Sequence, residues 1–221
     1  MNREDYIKQC VTQHLANEKC YQRKTENIAR QYIRDSMEEF FDFVKQPGLE
    51  IYGKDMVYFQ QAAETLTCMA TFYCLPKTHK NKTPVPLRPV ASRLGTPLHA
   101  LGKWATQAMK PLSTQVSTNI RDSDDFIKKL KALGKIEDNE FFFTSDAVAM
   151  CPNINIEEGV ASLLLSHETD LLKFGDNFPI KQLIRALRIL MKHNVFKFGS
   201  TYYLQKDGTE IGQPLATDWA Q

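Results

Sequence analysis

Asp146 is the residue whose type and setting most suggest chemistry. It stands in the stretch Glu140–Met150, where Phe141, Phe142 and Phe143 predict a strand buried on both faces, just before a Cys151-Pro152 break. A carboxylate at the end of a buried strand can hold Mg²⁺ against a phosphate. The same position also suits a turn or capping residue. Two-metal phosphoryl transfer needs a second carboxylate cluster. Asp122, Asp124 and Asp125 do not supply it, because they read as the acidic first turn of a helix. Cys68, Cys74 and His79 have C-x5-C-x4-H spacing, without the close pairing or the fourth ligand of a zinc site. They read as core thiols and a surface imidazole. No Ser or Cys stands in a nucleophile elbow. His167 and His193 fall near helix C-termini, and Gly208 and Gly212 lack the Lys-Ser/Thr ending of a phosphate loop.

The charge distribution carries a second indication. Net charge is only +2, yet Thr65 through Arg121 contains no Asp or Glu. That window holds eight cations: Lys77, Lys80, Lys82, Arg88, Arg93, Lys103, Lys110 and Arg121. All 26 acids lie outside it, so the rest of the chain is net acidic. Such segregation predicts a basic surface facing a polyanion.

Elements that must position these residues follow from periodicity. Residues 1–45 read as helix, with Tyr6, Ile7, Cys10, Val11 and Leu15 and then Ile28, Tyr32, Ile33, Met37, Phe40, Phe41 and Val44 on helical faces up to Pro47-Gly48. Residues 47–64 form a connector. Leu66–Leu75 predicts a strand, and five prolines between Pro76 and Pro97 exclude helix and favour an extended arm or hairpin. Leu98–Met109 reads as a helix ending at Pro111, and Ser123–Leu133 as an amphipathic helix closed by Gly134. Asn155 and Glu158 open a helix through Leu165 with a capping-box signature, and another runs from Pro179 to about His193. Val195–Phe198 and Thr201–Gln205 predict a hairpin across Gly199-Ser200. The tail from Gly208 reads as a turn leading into a helix.

With 221 residues, 43% hydrophobic and 24% charged, the chain fits a globular α+β protein and not a disordered or collagen-like one. It has no run of eighteen apolar residues for a membrane span and no apolar secretory leader. Five cysteines, an odd number, read as reduced intracellular thiols, with no disulfide-linked partner expected. Nuclear and cytoplasmic location are both left open.

The order of four sequence blocks resembles Penelope-like retroelement reverse transcriptases. Phe72-Tyr-Cys-Leu-Pro-Lys77-Thr-His-Lys80, Pro86-Leu-Arg88-Pro-Val-Ala-Ser92 and Gly95-Thr-Pro97 with Leu101-Gly-Lys103 resemble the fingers of that family. Thr144-Ser-Asp146-Ala-Val-Ala-Met-Cys-Pro-Asn153-Ile154 matches its S-x-D-V-x-S-L-Y-T-N-I-P strand. Asn194 through Leu215 matches its N-x-F-x-F-x-G-x-x-Y-x-Q-x-x-G-x-x-M-G-S-P-L segment, with one extra residue between Gly199 and Tyr203. The resemblance covers roughly residues 66–221.

It implies a right-hand polymerase fingers/palm fragment with a helical N-terminal part, a small, mostly antiparallel sheet and an incomplete palm. The segments would be helical fingers (1–64), basic fingers (65–139) and partial palm (140–221). Asp146 would be the catalytic metal-binding carboxylate, helped by the Ala147 carbonyl. Lys77 and Arg88 would meet the incoming triphosphate, for which a guanidinium fork is well shaped. Cys151, Gln205 and Gly212 would line the nucleotide site. Lys80, Lys82, Arg93, Lys103 and Gly208 would contact nucleic acid. The implied partners are an RNA template, a DNA primer and a dNTP, with Mg²⁺ as cofactor in the intact enzyme and no membrane.

Departures from the family pattern qualify these roles. Cys151 replaces the aromatic ring that excludes a ribose 2′-OH, Gln213 replaces Ser, and Ile211 replaces Met. The aromatic-x-Asp-Asp motif, the thumb and an endonuclease domain are not in these 221 residues. The N-terminus is expected to begin inside the fingers. The chain alone is therefore expected not to polymerise. A non-catalytic nucleic-acid-binding remnant and a decayed element product are the other readings.

Overall fold

A computed structural model describes residues 1–46, 57, 59, 61–62, 68–135, 137, 139–147, 150–176, 178–209, 212 and 215–219. Most of the 47–64 connector lies outside them, as do Leu66 and Thr67 of the expected strand and the divergent Ile211 and Gln213. In chain order the structure has α1 (Arg3–Cys10), a π-helical turn (Val11–Leu15), β1 (Tyr21–Lys24), α2 (Glu26–Val44), β2 (Ala70–Pro76) and β3 (Leu87–Ser92). It continues with α3 (Leu98–Ser113), α4 (Ser123–Ala132), α5 (Ile156–Glu168), α6 (Ile180–Lys192), β4 (Val195–Phe198) and β5 (Thr201–Gln205). Single helical turns occupy Met150–Asn153 and Ala216–Trp219. The class is α+β. Among the described residues no helix is long and apolar enough to cross a membrane, and all five cysteines are free thiols.

The sheet has the order β1-β5-β4-β2-β3. Its β1/β5, β5/β4 and β2/β3 pairs are antiparallel. The β2/β4 seam is parallel, with Ala70 opposite Phe196 and Thr71 opposite Lys197. Strands from all three sequence segments thus share one framework. The β4–β5 turn places Gly199 at φ +59°, which suits glycine at the first position of a type II′ turn.

The buried apolar side chains form two cores. On the inner face, Phe196 stacks between Phe72 (centroids 5.1 Å apart) and Tyr203 (5.8 Å), with Cys10 and Leu15 of the α1 arm packed on the same cluster. The larger core joins α2, α3, α5 and α6. Its centre includes Leu183, Leu187 and Leu190, spaced to fall on one face of α6 and all fully buried. Each such side chain stabilises the fold by about 1.5–3 kcal/mol relative to exposure. The helix starts follow the expected capping chemistry. Thr25 accepts from Ile28 N–H, Asp122 from Asp125 N–H, and Asn155 from Glu157 and Glu158 N–H.

Four differences from the sequence reading have physical causes. The N-terminal helix breaks after Leu15, where Cys20 and Tyr21 N–H both donate to the Asn17 carbonyl. The polar Tyr21–Lys24 segment is then recruited by the edge of β5, with Tyr21 edge-on to Phe196 at 5.9 Å. Next, α3 runs through Pro111 to Ser113, because a proline in the last turn removes only one helical hydrogen bond. Third, the apolar face of α4 is partly exposed, Phe126 by 48%.

The fourth difference matters most. The buried strand expected at Glu140–Met150 does not form over 140–147. Phe141, Phe142 and Phe143 are 82%, 61% and 80% exposed. Strand propensity is realised only against a cross-strand neighbour and a packed face. The sheet ends at β1 and β3, and this segment joins neither edge.

Candidate nucleic-acid interface

The β2–β3 hairpin carries half of the acid-free window's cations, Lys77, Lys80, Lys82 and Arg88. Along β2, Ala70, Phe72 and Cys74 point into the core while Thr71, Tyr73 and Leu75 are exposed. Across the register, Leu75 faces Arg88 and Tyr73 faces Val90, so Arg88 projects from the outer face. The tip is shaped by backbone bonds from Lys77 N–H to Pro86 O (2.8 Å), Lys80 N–H to Lys77 O (3.0 Å) and Lys82 N–H to Lys80 O. Lys80, Lys82 and Arg88 are exposed, and Lys77 is half-buried.

The α1 arm braces this hairpin at both edges, which the sequence reading missed. Beyond the short β4 pairing, the Tyr6 hydroxyl accepts from Cys74 N–H (2.7 Å) and donates to Cys74 O (3.1 Å). On the other edge, Gln13 Oε1 accepts from Leu87 N–H (2.9 Å) and its Nε2 donates to Val85 O (3.0 Å). His14 Nε2 lies 3.0 Å from Leu87 O. Side chains thus satisfy edge groups that would otherwise invite another strand. Burial is the main cause of a lowered His14 pKa, and the Lys77 charge adds to it. Tyr6 stood in the sequence only as an apolar helical position; Gln13 and His14 gave no pattern pointing to a hairpin partner.

A second segment reaches the hairpin from β5. Gln205 is buried, and its amide donates to Asp207 O (2.9 Å), so this expected nucleotide contact is turned into its own loop. Gly208 follows at φ +74°. Thr209 N–H then donates to Cys151 O (2.7 Å). Gly212, at φ +127°, lies where any Cβ would collide with the Ala91 carbonyl oxygen and press on Val90. Only glycine fits this backbone conformation and this approach together. Segments around Arg88, Cys151 and Gly212, far apart in sequence, are therefore neighbours. Cys151 is half-buried, and burial raises its thiol pKa.

Arg93 corrects the list of expected nucleic-acid contacts. It is 3% exposed. Its Nη2 donates to the buried Asn194 Oδ1 and lies 3.5 Å from His193 O. Five residues on from the outward Arg88, Arg93 has the opposite strand parity, and just past β3 it is enclosed and ties that strand to the start of β4. Lys103 is exposed on α3. Next to the Arg93 group, His193 Nε2 sits 3.3 Å from Glu39 Oε2, with burial as the first cause of its lowered pKa.

Asp146 and Ala147 are exposed in the irregular 140–147 segment. Among the described residues, no three His, Cys, Asp or Glu side chains gather as a metal site. One carboxylate and one backbone carbonyl do not make a resident Mg²⁺ site, which needs near-octahedral oxygen ligation. What the arrangement does offer is an exposed, acid-free basic hairpin on a braced sheet. The chain matches no family model, no curated protein and no solved structure.

Proposed function

We propose that these residues are the fingers and adjoining palm segment of an RNA-directed DNA polymerase of the Penelope-like retroelement type. Their own task is holding template, primer and nucleotide phosphates. The observation that carries this reading is the seating of Gly212 on β3 beside the strand face that presents Arg88. Two of the resembling blocks thereby meet at a glycine that tolerates no side chain. The exposed cations of the hairpin tip supply the electrostatic attraction that dominates nucleic-acid binding. In the intact enzyme Asp146 would carry Mg²⁺. The 221 residues alone would bind a primer–template without extending it.

The exposure of Asp146 outside the sheet favours a second reading, a non-catalytic nucleic-acid-binding protein. One experiment separates the readings: binding of an RNA–DNA primer–template by fluorescence anisotropy, with dNTP incorporation followed in Mg²⁺. Both readings expect salt-sensitive binding weakened by Arg88→Glu. Loss of affinity for a matched dNTP on Gly212→Val or Arg88→Ala supports the polymerase reading. Nucleic-acid binding with no dNTP-dependent stabilisation supports the second. No binding at low salt overturns both.

A further inference from the structure

The outer face of the sheet holds another basic feature, away from the hairpin tip. Between α2 and the strands lies a cleft of about 600 Å³, within the size range of small-ligand sites. Arg30 and Arg34 of α2 and Lys197 of β4 line it, and the Glu26 carboxylate stands beside it, bonded to Arg30 and to the Tyr202 hydroxyl. Both guanidinium groups are committed on one edge only. Arg30 gives Nε and Nη2 to Glu26 Oε1, and Arg34 gives the same pair of atoms to Gln31 Oε1. The Nη1 edges remain for an oxyanion. Lys197 is exposed and has no acidic partner among the described residues. The floor is different in character: Tyr202 and Met37 are half-buried there, and Leu94 stands at the rim 77% exposed.

Cations around an aromatic and apolar floor match the two halves of a nucleotide, a charged backbone and a flat base. We propose that this cleft holds an unpaired nucleotide of single-stranded RNA or DNA, its flanking phosphates on Arg30, Arg34 and Lys197 and its base over Tyr202. The inference rests on the nucleic-acid reading above and adds a site to it. A free inorganic anion would use the cations and leave the floor uncovered.

Continuity along the sheet supports a strand over a lone nucleotide. Thr71 borders the cleft, and Thr71, Tyr73 and Leu75 are the exposed residues of β2. Leu75 is paired with Arg88. Four residues of strand cover about 13 Å. A chain leaving the cleft therefore crosses the exposed Tyr73 ring and arrives at the hairpin cations.

The test is anisotropy of a short fluorescent oligouridylate and of a blunt duplex. Three proteins are compared: the unaltered chain, the cleft variant R34E/K197E and the tip variant K80E/K82E. Thermal unfolding establishes that each is folded. The cleft variant is expected to bind oligouridylate about tenfold more weakly at low salt, with the log–log salt slope smaller by about 1.4, twice the ~0.7 per single-strand phosphate. Duplex binding is expected to respond to the tip variant and not to the cleft variant. As a measurement independent of variants, 4-thiouridine in the oligonucleotide is expected to crosslink to the peptide containing Tyr202 or Met37 in the unaltered chain. Oligouridylate binding lost in the tip variant, kept in the cleft variant and crosslinked only within 77–88 overturns the cleft and leaves the proposed function standing. Equal sensitivity of duplex and single strand to the cleft variant overturns the base-holding role. Failure of the unaltered chain to bind any nucleic acid overturns both.

Discussion

Replacing Arg93 by Met tests whether a cation in the basic window serves the fold or a ligand. In the structure its guanidinium is buried, bonded to Asn194 Oδ1 and close to the His193 carbonyl. A hydrogen bond to a charged group is worth about 1.5–3 kcal/mol. Leaving the buried Asn194 oxygen without that donor adds about 1–3 kcal/mol. Together these span about 2.5–6 kcal/mol, which brackets the ~3–5 kcal/mol for breaking a buried charged contact on one side; that narrower range is the expected loss. At about 2–4 °C per kcal/mol for a chain of this size, Tm falls by roughly 6–20 °C. Urea unfolding followed by tryptophan fluorescence reads the loss directly, and Arg93→Lys is expected to fall between the two because a point charge replaces a fork. Oligonucleotide affinity, measured well below the transition, is expected to stay within about twofold, since a surface charge is not being removed. An unchanged urea midpoint with weakened RNA binding would refute the buried placement of Arg93.

Further expectations follow from other positions. Gly212→Ala combines positive φ with a collision against Ala91 O, and should destabilise by about 1–3 kcal/mol or more in urea; a midpoint shift under 0.5 kcal/mol would show that the segment does not rest on β3. The triple replacement of Phe141, Phe142 and Phe143 by Ser should change stability by no more than about 0.5 kcal/mol per site, whereas Phe196→Ala, in the fully buried ring stack, should cost about 3–5 kcal/mol. Comparable losses from the two would place the Phe run in the core. Burial lowers the pKa of His14, His99 and His193 in the folded chain, while unfolded imidazoles titrate near 6.5. Below about pH 6.5 the unfolded state therefore binds more protons, so stability held at pH 7.5 is lost as pH drops to 5.5. A urea midpoint that holds or rises at pH 5.5 contradicts that sign.

The legible parts of the fold were those set by local chemistry. Asn155 before Glu157-Glu158 and Asp122 before Asp125 mark helix starts because their carbonyl and carboxylate oxygens reach N–H groups two or three residues on. Gly199-Ser200 marks a turn for an equally local reason. The α6 face is set by spacing alone. What remained hidden depended on distant partners. Tyr21–Lys24 has no strand pattern and is a strand only because β5 lies beside it. The Phe141–Phe143 run has strong strand chemistry and no strand to pair with. Within the candidate interface, proline density foretold an extended arm presenting Lys80 and Lys82. Nothing in residue type separates Arg88, which faces outward, from Arg93, which is enclosed; the difference lies in their opposite parity along one extended segment. The cleft cations Arg30, Arg34 and Lys197 were likewise ordinary members of charged runs until the sheet brought α2 and β4 together.

The parallel β2/β4 seam bears on how the chain is made in time. Each hairpin closes from residues close together in sequence, but Ala70 and Thr71 wait for Phe196 and Lys197. At about 5–20 residues per second of synthesis, the delay between the end of β2 and the arrival of β4 is on the order of ten seconds. During that interval Phe72 lacks both of its ring partners, Phe196 and Phe198, and the nascent β2 edge has no strand beside it. The braces from Tyr6, Gln13 and His14 are already synthesised by then, so the N-terminal arm can shield the hairpin on the ribosome before its permanent neighbour exists.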